Sequence, residues 1–324
     1  MHDEHEGKLN IINVFRDRSK DFLLLIAIVI IYIVFTLINP RFASTANIIN
    51  IARQMSINMI IAVGMTKVII SGGLDLSVGS VGIMSGCLVG VLLINHELPV
   101  WLGIVIGLSA GAACGLLNGL CIAKLKVPPF VSTLAMMSIA RGIALLLTGG
   151  FPISGFPDSF NYIGIGFLFG IPFPVYVMVV IVIIGYILLS KTEFGLNIYA
   201  LGGNERASRL AGLRVENMKI KIYVISGILA AIGGIMLTAR VVSAQPALMM
   251  GTNLEVIAAV FVGGTRMGGG EGSIQRTIMG SLLMAFLFNG LNLIGVGFEW
   301  QQVTIGVILA GAVAMDMRRV KNII

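Results

Sequence analysis

The chain has 324 residues, of which 57% are hydrophobic and only 11% charged, with a formal net charge of +7. Soluble domains run at about 45–50% apolar and about 25% charged, so too few charges exist here to cover a water-facing surface, and an ordinary soluble enzyme is excluded. The cations sit between apolar runs with no aromatic-interleaved basic patch, which excludes a nucleic-acid binder and leaves an all-α integral membrane protein of about ten transmembrane helices as the expected fold class.

Residues 1–21 are polar and mixed in sign and predict a cytoplasmic tail, with His2 and His5 solvated and inert. The first apolar run is followed by Asn39-Pro40-Arg41 and not by a small-residue cleavage site, so it is read as a retained span. Ten hydrophobic segments follow, at about 22–38, 48–70, 76–94, 100–123, 129–148, 172–190, 221–241, 253–264, 277–296 and 303–317. They make residues 22–317 the transmembrane domain and 318–324 a cytoplasmic C-terminal tail. Most are long enough to cross about 30 Å of hydrocarbon at 1.5 Å per residue. The eighth is too short and predicts a broken or re-entrant piece.

The cations test this topology. With Lys8, Arg16, Arg18 and Lys20 inside, ten crossings place Lys124, Lys126, the cluster Lys191–Lys221, Arg266, Arg276 and Arg318, Arg319 and Lys321 inside as well. The outer loop 149–171 carries no Lys or Arg, a strong positive-inside pattern. The exceptions are Arg41, Arg53 and Arg240 near the outer ends and Arg141 at mid-span. Dropping the eighth segment would put the C-terminal cluster outside, so the charges argue for an even count.

Three stretches interrupt the spans: Ser71–Ser80, Lys191–Lys221 and Gln245–Gly272. In the first, Asp75 opens span 3 beside Ser77. A carboxylate there costs roughly 2.5–3.5 kcal/mol on insertion scales unless paired or wet, and it reads either as a helix cap or as a pathway group. Asn253 and Glu255 open the short eighth segment in a similar way. Arg141 needs a partner, and Asp75 or Glu255 are the acids on offer. Asn118, Gln245, Asn289 and Asn292 supply amides that suit hydroxyl-rich solutes but also join helices in membranes. The strings around Asn118 and Asn289, and around Asp75 and Glu255, fall at opposite membrane faces, as an inverted repeat would place them.

Gly103, Gly107, Gly111, Gly115 and Gly119 recur at four-residue spacing and predict one smooth, closely packed face on span 4. Cys87, Cys114 and Cys121 lie in apolar runs without metal spacing and read as packing residues. No phosphate-binding loop, zinc motif or nucleophile elbow occurs. No catalytic residue, metal or cofactor is therefore expected, and any ATP hydrolysis would belong to a partner. In the stretch 192–220, Asn204 predicts the cap of a short helix with Glu205 and Arg209 paired, an apolar stripe of Ala207, Leu210 and Ala211, and Gly212 at its end. Such a helix outside the membrane suits a groove on a soluble partner.

Nearly the whole chain resembles the permease subunits of bacterial ABC importers for ribose and related monosaccharides. The likeness is carried by Ala62-Val63-Gly64-Met65-Thr66, Gly73-Leu74-Asp75-Leu76-Ser77-Val78-Gly79-Ser80, Ala200-Leu201-Gly202-Gly203-Asn204-Glu205, Ser243-Ala244-Gln245-Pro246, Ala258–Thr265 and Asn289-Gly290-Leu291-Asn292-Leu293, in that order. The resemblance implies an inner-membrane protein acting as a pair, most simply a homodimer, with a cytoplasmic ABC ATPase and a periplasmic sugar-binding protein. It also implies that the stretch with Gly203, Asn204, Glu205, Ala207, Ser208, Arg209 and Gly212 docks into the ATPase. The polar N-terminal tail and Met249-Met250 depart from the family pattern. Ion-gradient-driven transport is the competing class; a membrane-embedded enzyme would need a clustered catalytic set, which the chain lacks.

Overall fold

The computed structural model describes residues 22–321; the polar tail and its histidines, together with residues 322–324, lie outside the described residues. The chain forms thirteen α-helices among them, in the order α1 (Phe22–Ile38), α2 (Thr45–Ile70), α3 (Val78–Ile94), α4 (Val100–Ala123), α5 (Pro129–Thr148), α6 (Asp158–Ile165), α7 (Phe173–Ser190), α8 (Glu193–Gly203), α9 (Glu205–Leu210), α10 (Val215–Val241), α11 (Thr252–Val262), α12 (Ile274–Leu293) and α13 (Phe298–Lys321). Six of them, α2, α4, α5, α7, α10 and α12, are long and apolar enough to cross a membrane. Four shorter apolar helices, Phe22–Ile38, Val78–Ile94, Thr252–Val262 and Phe298–Ala314, occupy the remaining expected segments. With 11 residues, α11 is about 16 Å long and falls short of the hydrocarbon core, as the eighth segment suggested.

The core is organised on α10, which packs against α4, α3 and α2. Glycine makes this packing close. A side chain at Gly115 would collide with the Tyr223 backbone, one at Gly111 would lie 2.6 Å from the Gly227 carbonyl, and one at Gly119 would lie 2.8 Å from Ile220 Cα. The glycine face of α4 is therefore real, and it faces α10. A second apolar cluster joins Ile28, Ala258, Ala259, Leu283, Met284, Phe288 and Ile305, binding α1, α11, α12 and α13 together.

The two ends of the bundle differ in charge. At one end the Lys126 ammonium lies 3.1 Å from Glu216, the Gly270 N–H donates to the Ile70 carbonyl at 2.8 Å, the Tyr199 hydroxyl donates to the Gly272 carbonyl at 2.7 Å and the Met267 N–H donates to Asp316 at 3.1 Å. The loops carrying Lys124, Lys126, the 191–221 cluster, Arg266 and Arg276 thus converge at this basic end. At the opposite end the Asn39 amide donates to the Leu293 carbonyl at 3.2 Å and the Arg53 guanidinium to the Ile165 carbonyl at 2.7 Å. Among the described residues these cations fall together as the sequence reading grouped them; Lys8, Arg16, Arg18 and Lys20 lie outside the described residues.

Several boundaries differ from the sequence reading. α10 begins at Val215 and α13 extends from Phe298 to Lys321, because charged first and last turns lower the local hydropathy without breaking the helix. The loop 149–171 holds α6 and small hairpin pieces: Ile153–Ser154 pairs with Ser243–Ala244, and Phe167–Leu168 with Ile171–Pro172. Pro157 fixes the entry to α6, Phe156 and Phe160 meet edge-to-face at 5.1 Å, and Gly164 lies directly on the backbone of Ala239 and Arg240.

Candidate functional site

Asp75 sits in the turn between α2 and α3, 1% exposed. One carboxylate oxygen accepts the Ser77 N–H at 3.0 Å and the Ser77 hydroxyl, and the other accepts the Ser226 hydroxyl of α10 at 2.8 Å. The Asn118 amide of α4 donates to the Ser77 hydroxyl at 3.0 Å, and the Ser132 hydroxyl of α5 donates to Asn118 Oδ1 at 3.3 Å. Three expected residues, Asp75, Ser77 and Asn118, therefore meet in one buried knot that joins α3, α4, α5 and α10. Each hydrogen bond to a charged group is worth about 1.5–3 kcal/mol, which offsets the desolvation of the carboxylate. The expected cap takes a different form. Ser77 is the N-cap residue and makes no side-chain cap bond, while Asp75 closes a turn onto the Ser77 N–H ahead of the helix.

Glu255 is not a helix cap. α11 begins after Gly251 with no side-chain cap, and the Glu255 carboxylate instead accepts from the Asn58 amide of α2 at 3.1 Å. It faces a cavity of about 360 Å³ lined by Gln54, Ile57, Asn58, Leu237, Arg240, Val241, Met249 and Thr252. The cavity is built from matching faces of three helices: positions 54, 57 and 58 on α2, 237, 240 and 241 on α10, and 252 and 255 on α11. Of these, sequence reasoning singled out Glu255 for the pathway, noted Arg240 as a topological exception and Met249 for its departure from the family pattern. It missed Gln54, Asn58 and Thr252, although two amide side chains four residues apart in an apolar span were a usable signal.

The other candidates are scattered. Arg141 does not pair with either acid; its guanidinium points to Met250 Sδ at 3.5 Å, and the residue is exposed on α5. The Asn253 amide lies 4.0 Å from Met137 Sδ. Asn289 accepts from Asn47 at 2.7 Å and Asn292 accepts from Gln301 at 2.8 Å, so both join helices. Gln245 is half-buried in the turn after Ser243–Ala244, where its carbonyl accepts the Leu248 N–H at 3.1 Å. Asn118 lies towards the basic end and Asn289 towards the opposite end, the placement an inverted repeat requires. Among the described residues no cluster of His, Cys, Asp and Glu could hold a metal ion.

At the basic end, α9 stands out from the bundle. The Asn204 side chain caps it by accepting the Ala207 N–H at 3.0 Å, and the Ser208 hydroxyl donates to the Asn204 carbonyl at 2.9 Å. Ion pairs frame it: Arg209 with Glu205 at 3.5 Å and Glu216 at 2.7 Å, and Lys219 with Glu205 at 2.8 Å. The Lys219 hydrogen bond, aided by the charges of Lys219, Arg209 and Lys126, holds the Glu205 carboxyl below its usual range against a smaller opposing effect of burial. Leu210 is 89% exposed, Ala207 and Ala211 are exposed beside it, and Gly212 follows with φ +89°. Gly203, Asn204, Glu205, Ala207 and Arg209 are exposed on the same short element, with Ser208 buried beneath.

Residues 47–313 match a family described as the permease component of the branched-chain amino acid transport system. The chain belongs to this permease family. The permease is 41% identical over 295 residues to the ribose import permease protein of Haemophilus influenzae, covering 90% of this chain and 91% of that one. It is 42% identical over 292 residues to the ribose import permease protein of Bacillus subtilis, covering 90% of each. The L-arabinose transport system permease protein of Escherichia coli is 38% identical over 298 residues, with 92% of this chain and 90% of that one covered. No solved structure matches the permease. It is a multi-pass permease subunit of a transport system.

Proposed function

We propose that the permease carries ribose or a related monosaccharide inward by alternating access, driven by a cytoplasmic ABC ATPase and supplied by a periplasmic sugar-binding protein. The likeness to ribose and arabinose permeases supports the substrate class. The observation that carries the coupling to a motor is α9: a capped, ion-pair-framed helix with an almost fully exposed Leu210, set where the cations converge. In this reading the basic end faces the cytosol, both chain ends lie there, and Gly203, Asn204, Glu205, Ala207, Ser208, Arg209 and Gly212 form the ATPase contact.

The permease works as a pair. Arg141 is exposed in the middle of α5, between exposed Ile139 and Ile143. An arginine facing lipid at that depth costs at least about 2.5–3.5 kcal/mol. A second copy, or a water-filled path between two copies, removes that cost. The arginine, with Ser138 and Asn253 near it, then borders the path, while the Asp75 knot stiffens the block that moves.

The test is uptake of labelled ribose into vesicles holding the permease. Transport that requires ATP, the ATPase subunit and the loaded binding protein is the expected result. Transport by the permease alone under a proton or sodium gradient overturns the proposal.

A further inference from the structure

We propose that the 360 Å³ cavity between α2, α10 and α11 is a monosaccharide contact site inside the permease, with Glu255, Asn58, Arg240, Gln54 and Thr252 as its polar contacts. The choice of a sugar rests on the reading above; the cavity as a ligand site rests on its own geometry.

Its volume lies in the range of small-ligand pockets, about 300–1,000 Å³. Its chemistry is more selective than its size. Glu255 and Arg240 line the same space, yet no ion pair joins them. The Glu255 carboxylate is steadied by Asn58 at 3.1 Å, and among the described residues the Arg240 guanidinium has no hydrogen-bond partner. An acceptor and a set of unused donors are thus held apart across open space. Left empty of solute, such groups must be served by water; a solute with several hydroxyls serves them directly.

Gln54 and Thr252 add a second amide and a hydroxyl from two different helices, while Ile57, Leu237 and Met249 supply an apolar wall for the C–H face of a ring. A branched-chain amino acid fits this arrangement less well. It would satisfy Glu255 and Arg240 with its two charged ends but has no hydroxyl to offer Gln54 and Thr252. The floor is fixed by a strained turn. Met249 has φ +60°, unusual for a residue other than glycine, and its sulfur lies against Gly82 of α3, where an added Cβ would come within 3.0 Å.

Two experiments test the site. In vesicles carrying the full transporter, Glu255→Gln and Asn58→Ala are each expected to lower ribose uptake about tenfold or more, the loss of one charge-assisted contact. ATP hydrolysis stimulated by the loaded binding protein should stay within about twofold of wild type. Uptake that is unchanged, or that falls in step with ATP hydrolysis, overturns the site. Separately, Gln54→Cys in a Cys121→Ser background is labelled with a membrane-impermeant thiol reagent in permease-only vesicles. Protection by concentrated ribose and not by leucine supports the site; protection by leucine, or by neither, overturns it. The labelling arm needs no motor or binding protein, so a failure of ATP-driven ribose import and a failure of this cavity are read separately.

Discussion

Asp75 and Glu255 stand in parallel places. Each follows a glycine with positive φ, Gly72 at +79° and Gly251 at +85°, and each lies near the start of a helix that succeeds a backbone break. Their surroundings are opposite. Both Asp75 oxygens are taken by hydroxyl and N–H donors from α3 and α10, with Asn118 and Ser132 extending the knot. Glu255 has one amide neighbour and faces a cavity that also holds an uncommitted Arg240. One acid holds helices together; the other is available to something that comes and goes. The sequence presents them as equivalents, and only the partners supplied by distant helices separate them.

The sharpest way to break this contrast is to disturb the packing behind each acid. Gly115→Leu drives a side chain into the Tyr223 backbone in the block that Asp75 anchors. It is expected to abolish recovery of folded permease from membranes, measured by monodispersity after detergent extraction. Thr252→Val, on the cavity wall, should leave recovery near wild type. Equal losses would mean that the cavity side is as tightly specified as the knot.

Next in size is Asp75→Ala. It strands the Ser77 N–H and the Ser226 hydroxyl, at about 1–3 kcal/mol for each buried orphan, and should lower the unfolding midpoint in detergent markedly. Glu255→Ala should shift that midpoint little while impairing transport. A smaller effect is expected from Ser226→Ala, which removes one charge-assisted bond worth about 1.5–3 kcal/mol and leaves the two Ser77 bonds in place.

The smallest effect concerns the ion-pair frame of α9, which lies outside both acids' surroundings. Because the Glu205 carboxyl is held below its usual range, chiefly by Lys219, its contribution is complete above the ordinary glutamate range near about 4.3 and is lost only as pH falls below it. Stability of the wild type should therefore be flat between about pH 8 and 5 as far as this group is concerned. Lys219→Met should lower the unfolding midpoint near neutral pH and flatten its fall on acidification, because most of the depression that makes Glu205 pH-sensitive is then gone.

The helical spans were legible because a run of apolar residues in lipid has few structural options, and the cation grouping needed nothing beyond counting. The α9 cap was legible too, since Asn204, Glu205 and Arg209 act within one turn of each other. The knot was half legible: Asp75, Ser77 and Asn118 stood out as polar groups in apolar runs, but nothing in their spacing says that Ser226, 151 residues from Asp75, closes the ring. The cavity was the least legible. It depends on how three helices converge, and Gln54, Asn58 and Thr252 look like ordinary span-end polarity until α10 brings Arg240 opposite them. α6 was hidden because a helix of eight residues with one phenylalanine is set by its seat on α10 more than by its own pattern.

The route from α9 to the cavity is made of main chain. α9 follows α8 directly; at Gly202 of α8 even one added carbon would strike the Ile70 carbonyl at the end of α2, and the Gly270 amide clasps that same carbonyl. Sixteen residues back along the unbroken α2, Gln54 forms part of the cavity wall. A rigid rod with one end gripped by peptide groups leaves no slack in which a push could dissipate. At Gly202 a single hydrogen atom stands in for a side chain, and the hold on this rod tolerates nothing larger there.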